Sequence, residues 1–201
     1  KIKLNAASGG GSFSLQAPSS SSNNRVFTIP DVADGTLLTT QSTGLGKILQ
    51  VVQTPLTTAV SQTSSNTNYA AISGFSRSIT PSSSSNKILV SVKIGCASAS
   101  TGDGIVFRLY KDGSEISGAR GSGGSTYGHG AFIHYNKDHQ LMLYGGGFDY
   151  LDTAGGTNSI TYQIYWASTS TGSNTRYINR RASSTGFTML STITLFEVDQ
   201  T

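Results

Sequence analysis

Three histidines recur at intervals of five, His129, His134 and His139. Successive side chains of a strand point to opposite faces, so His129 and His134 on one strand would look away from each other and could not share a metal ion. Cysteine and histidine in zinc-motif spacing are absent as well, so the histidines read as surface or loop residues and no metal site is expected. Glycoside cleavage requires two acids facing each other roughly 5–10 Å apart. Asp149 and Asp152 are the nearest pair in sequence, but a spacing of three again sends them to opposite faces. Asp103, Asp112, Glu115 and Asp138 lie close to turn residues and read as turn formers. No G-x-S-x-G elbow is present. The glycine runs Gly9-Gly10-Gly11 and Gly121-Ser122-Gly123-Gly124 lack the lysine and helix of a phosphate loop. The expectation is a chain that is not an enzyme and needs no cofactor.

Binding is the chemistry that remains. Tyr127, Tyr135, Tyr144, Phe148 and Tyr150 lie in glycine-rich text between residues 121 and 157. An aromatic side chain on a loop offers a sugar a flat apolar face, and a tyrosine adds a hydroxyl. Gly145-Gly146-Gly147 would let backbone approach a ligand closely, and Asn136, Asp138 and Gln140 add polar groups. Arg176, Arg180 and Arg181 form the densest basic cluster, suited to phosphate or carboxylate groups on an acidic glycan. These eight aromatic and arginine residues are the candidate ligand site. The competing reading packs the tyrosines between strands or across a subunit interface and leaves the arginines solvated.

Elements must hold these residues, and composition points to strands. Charged residues are 12% of the 201 residues, against the ~25% usual for soluble domains. Serine, threonine and glycine fill the space, while 36% hydrophobic residues stand in alternating runs that a disordered linker would lack. The formal net charge of +4 is dispersed, unlike the clustered stripe of a nucleic-acid binder. The single cysteine, Cys96, lies in an apolar run and reads as a buried thiol, so no disulfide framework exists. No apolar run reaches the length of a membrane span. A chain opening at Lys1 in strand-like text, without signal peptide or initiator methionine, reads as part of something longer.

Residues 1–45 read as a thin module of short strands and turns, and residues 46–201 as a β-rich head. Pro18-Ser19-Ser20-Ser21-Ser22-Asn23 recurs as Pro81-Ser82-Ser83-Ser84-Ser85-Asn86, each copy followed by a basic residue and a strand. This is one turn used twice. Ile88, Val90, Val92 and Ile94 share a face, with Leu89 the exception to the alternation. Ile105, Phe107 and Leu109 follow, then the hairpin signal Asp112-Gly113, and later Ile160, Tyr162, Ile164 and Trp166. The last strand, Met189 to Val198, alternates less neatly, as a strand covered on both faces would. About eight to ten strands with regular turns suggest a sandwich or barrel.

Ser14-Leu15-Gln16-Ala17-Pro18, then Arg25-Val26-Phe27-Thr28-Ile29-Pro30-Asp31, then Gly35-Thr36-Leu37-Leu38-Thr39-Thr40 resemble the stalk of bacteriophage tail fibres, especially those of phages infecting marine bacteria and cyanobacteria. The run from Gly46 to Thr54 is similar to the opening of the β-rich tips that follow such stalks. The strands Lys87–Gly95 and Phe107–Ile116 are loosely similar to complement- and tumour-necrosis-factor-type jelly rolls. The resemblance implies an all-β chain, a short β-stalk followed by a jelly-roll-like β-sandwich head, assembled as a homotrimer. It implies a virion component acting outside the cell, joined to the remainder of a fibre or tail. Its function would be multivalent, non-catalytic attachment to a host polysaccharide or lipopolysaccharide, with no nucleic acid and no membrane insertion. A head fibre or decoration protein is the first alternative, and a polysaccharide depolymerase the second.

Overall fold

The computed structural model describes residues 2–5, 8–10, 12–15, 19, 22, 47–65, 68–98, 102–122, 129–136 and 143–200. The chain divides into two units, Lys1–Thr40 and Gln41–Thr201. In the first, β1 (Ile2–Asn5) and β2 (Ser12–Leu15) pair antiparallel, from Ile2↔Leu15 to Asn5↔Ser12. Gly9 and Gly10 between them take φ of +85° and +70°, left-handed values that glycine enters without a Cβ clash. The stalk strands expected over Val26–Ile29 and Thr36–Thr40 lie outside the described residues.

The second unit is built from β3 (Ile48–Leu56), β4 (Val60–Ser64), β5 (Ala70–Ile79), β6 (Lys87–Ser98), β7 (Asp103–Lys111), β8 (Ser114–Glu115), β9 (Phe132–Asn136), β10 (Tyr144–Thr153), β11 (Ile160–Ser168), β12 (Asn174–Ile178) and β13 (Ser191–Val198). A 3-10 turn, Ser117–Ala119, follows β8. Three pairs of these strands are interrupted single runs. β3 and β4 lie end to end against β13 and β12, and β8 and β9 lie end to end along one side of β7. Counted as runs, the described residues of this unit make eight strands in two antiparallel sheets, ordered 1-8-3-6 and 2-7-4-5. That order is a jelly roll.

Alternation drives the assembly. Ile88, Val90, Val92, Ile94 and Cys96 of β6 face Ile105, Phe107 and Leu109 of β7 and Tyr162, Ile164 and Trp166 of β11 in one buried layer. Burial of a large apolar side chain contributes about 1.5–3 kcal/mol, and burial pushes the Cys96 thiol up to about 12. Asp112 and Gly113 both take positive φ, 48° and 81°, giving the hairpin turn that their sequence predicts. The interruption between β12 and β13 is stitched by Asn179, whose left-handed φ of 61° turns the chain out of the sheet. Its N–H donates to Gly95 O at 2.8 Å, its Nδ2 donates to Leu56 O and Thr58 O, and its Oδ1 accepts from Ser191 Oγ at 2.6 Å.

The second copy of the serine-rich repeat is held by one carboxylate. Glu197 is fully buried and accepts from Gln50 Nε2, Asn86 Nδ2, and both the N–H and Oγ of Ser82. Burial alone would raise its pKa, but the hydrogen bonds outweigh that and hold it at about 2 against an ordinary 4.5. A depressed folded-state value stabilises the fold above pH 4.5 and loses that contribution as pH falls toward 2. The shift corresponds to about 3 kcal/mol. Glu197→Gln should lose most of this at pH 7 and flatten the acid limb, read by urea unfolding between pH 2 and 7. A variant as stable as the parent, with the same acid limb, would show that the clamp is not structural.

Candidate functional site

The segment expected to be a glycine-rich binding loop is in its centre a ten-residue strand, β10. Its even positions turn inward and its odd positions outward. Phe148 and Tyr150 therefore pack against the core instead of standing on a loop. Tyr144 lies against the His134 ring at 4.0 Å. His134 is buried, contrary to its reading as a surface residue, and burial lowers its pKa. Tyr135 is 59% exposed, its hydroxyl donating to Gly102 O at 2.8 Å. Tyr127 and His139 lie outside the described residues.

The three glycines make room for the protein itself. A Cβ on Gly146 would sit 2.2 Å from Phe132 Cζ, and one on Gly147 would sit 1.9 Å from Val92 O. On the outer side, a Cβ on Gly145 would meet Met189 Cε at 3.1 Å, and one on Gly95 would meet Met189 Cβ at 2.8 Å. The close approach expected of a ligand is made by the rings and thioether of distant segments.

Of the arginines, Arg176 is the clearest correction. It belongs to β12 and is fully buried, its guanidinium donating to the Ser64 carbonyl and hydroxyl and lying 5.4 Å from the Trp166 ring. Burial lowers its pKa to about 10, opposed by the Asp103 charge. It cannot meet a ligand at the surface. Arg180 and Arg181 do lie in the excursion between β12 and β13, half-buried over Tyr177 at 4.7 Å and Phe187 at 3.9 Å. The register Tyr144↔Cys96↔Ile178 brings the start of β10 to the same end of the sheet as this excursion, while Tyr150 pairs with Val90 toward the other end. Of the described candidate residues of β10, Tyr144 is the one that lies at the arginines' end of the sheet.

A different cluster occupies the outer face of the β5-β11-β7-β8 sheet. Tyr110 and Tyr165 stack at 3.7 Å between ring centres, and Arg108 covers the Tyr69 ring at 3.8 Å. Glu115 pairs with Arg108 at 3.0 Å and Arg120 at 2.8 Å, and Arg120 reaches His129 Nδ1 at 3.1 Å. Burial raises the pKa values of Tyr69 and Tyr110, so both rings stay neutral. Half-buried rings bordered by guanidinium groups can hold the C–H face of a sugar and hydrogen-bond its hydroxyls. The signal was present in the sequence: Tyr110 and Tyr165 sit at outward positions of cleanly alternating strands.

The acids are engaged elsewhere. Asp149 faces outward on β10, whereas Asp152 faces inward and binds Lys111 Nζ at 2.8 Å and the Tyr162 hydroxyl at 2.7 Å. Among the described residues no group of three or more His, Cys, Asp or Glu is placed to hold a metal ion. No helix among them is long and apolar enough to cross a membrane.

No protein-family model matches the chain, and neither does any curated protein. Solved structures similar to it include those of infectious bursal disease virus. They include the VP2 subviral particle, at 11% identity and a TM-score of 0.39, over 75% of this chain and 38% of that one. A VP2 mutant in derived T=1 particles gives 12% identity and 0.38, over 74% and 36%. The Gx strain gives 14% and 0.37, over 76% and 37%. The chain spans under two fifths of the length of these solved chains.

Gly146→Ala should destabilise the head by about 1–3 kcal/mol through overpacking against Phe132. Phe132→Leu in the same chain should relieve part of that loss. Additive losses in a double-mutant cycle would show that the two residues are not in contact.

Proposed function

We propose that this chain is a structural protein of a virus particle, a β-stalk carrying a jelly-roll head. More finely, we propose the tip of a phage tail fibre, three copies of which attach a virion to a cell-surface polysaccharide without cleaving it. The observation that carries the coarser reading is the 1-8-3-6 and 2-7-4-5 strand order, downstream of sequence that resembles fibre stalks. Jelly rolls serve viral capsids and lectins, an analogy of architecture.

The carboxylates support a non-catalytic role. Asp152 is held by Lys111 and Tyr162, Glu115 by two arginines, Glu197 by four donors, and Asp103 by Ser168 Oγ at 2.8 Å. Each fastens one segment to another. For the glycan, the Tyr110–Tyr165 stack with Arg108 is the better-formed surface, and Tyr135, Arg180 and Arg181 remain outside the core. Three weak sites on one rigid assembly give avidity without strong single contacts.

An antibody raised against residues 47–200 should label intact particles of the parent virus in electron micrographs. Label found only on unassembled protein would end the virion reading. On a glycan array the purified chain should bind a bacterial polysaccharide and release no reducing sugar from it. Tyr110→Ala should weaken that binding about tenfold, ~1.4 kcal/mol, with the melting curve reported beside it. Particle label without glycan binding would leave a decoration protein.

A further inference from the structure

The two outer faces of the head differ in kind. On the β5-β11-β7-β8 sheet the outer side chains close on one another in ring stacks and ion pairs. On the other sheet hydrogen bonds such as Gln53 Nε2 to Thr194 Oγ1 and Lys87 Nζ to Thr153 Oγ1 join single neighbours and leave apolar side chains uncovered. Val51↔Phe196↔Leu89↔Leu151 stand in direct register across β3, β13, β6 and β10, forming an apolar row that crosses the whole sheet. Val51 and Leu151 are each 53% exposed, and Leu49 beside them is 45% exposed. Met189 lies on the same side of the sheet but apart from the row, over Gly95 and Gly145. Leu89, the one residue to break the alternation of β6, takes its place in this row. A contiguous apolar surface that spans a sheet is uncommon on a monomer.

The charges on this face indicate what covers it. Lys93 and Asp149 are both exposed, and neither has a side-chain partner among the described residues. They are diagonal neighbours, Lys93 opposite Gly147 and Asp149 opposite Ser91, two strand positions along. A face carrying one cation and one anion beside an apolar row suits closure on further copies of this chain: around a shared axis each copy offers its carboxylate to the next copy's ammonium while the apolar rows close together. An occupant of a single charge sign would leave one of the two groups facing a like charge.

We infer that the outer face of β3-β13-β6-β10 is the surface through which copies of this chain associate, with the apolar row buried and Lys93 of one copy meeting Asp149 of the next. This rests on the homo-oligomeric part of the proposed function and assigns the face that the heads use.

The full chain tests it. Equal amounts of protein grown in light and heavy nitrogen would be mixed unfolded, refolded together and treated with a carbodiimide, which joins a lysine to a carboxylate that touches it. Linked Lys93–Asp149 peptides with one light and one heavy half are expected, in the proportion that random mixing gives. Val51→Glu with Leu151→Glu should abolish the mixed-label product, and light scattering should show a smaller assembly or one that dissociates at tenfold higher concentration. Assembled parent protein that yields only same-label links overturns the assignment of the face and leaves the oligomer standing. Parent protein that stays at the chain mass of 21.0 kDa at every concentration overturns both. The cross-link in the parent protein decides the matter even if the double variant fails to fold.

Discussion

The long strand β6 runs from one end of its sheet to the other, and a buried charge stands at each end. At one, Glu197 pairs in register with Ile88 at the start of β6 and gathers the polar ends of three segments. At the other, Arg176 pairs with Ser98 at the end of β6, fastened to Ser64 and lying over Trp166, with Asp103 close enough to favour its charge. Burying an ion is costly unless its lone pairs or protons are satisfied. Each charge can persist only if the turns around it are correctly placed. The apolar layer supplies the affinity between sheets, and the two charges fix the turns that connect them.

Much of this was legible in advance. The alternating runs of β6, β7 and β11 are buried on the faces that their spacing dictates, and Asp112-Gly113 makes its turn. The serine-rich repeat is a turn where it is described, although nothing local announced that Glu197, more than a hundred residues away, would hold it. Long-range pairing of this kind leaves no period in a sequence.

The misreadings share a cause. Gly145-Gly146-Gly147 looked like a loop because glycine disfavours strands in isolation. In the fold the missing Cβ atoms are replaced by Phe132, Met189 and the Val92 carbonyl. Arg176 looked solvated because arginine usually is. Its outer neighbours on β12 are polar, and only the partner sheet, with Trp166, explains why a guanidinium is tolerated inside. Leu89 was visible as an exception before there was a surface to explain it.

The stitch at Asn179 has a consequence for how such a head can change over time. Asn179 and Ser191 close the sheet across the break, so the intervening residues leave and re-enter the fold through two fixed points joined by a 2.6 Å hydrogen bond. Residues 185–190 between them are all exposed, and Met189 packs back over Gly95 and Gly145 on the outer face and not in the core. Loop-closure entropy grows only slowly with length, so this excursion can lengthen, shorten or be rewritten at small cost while the jelly roll stays intact. The head thus carries a built-in cassette, a place that can take up variation without renegotiating the architecture that displays it.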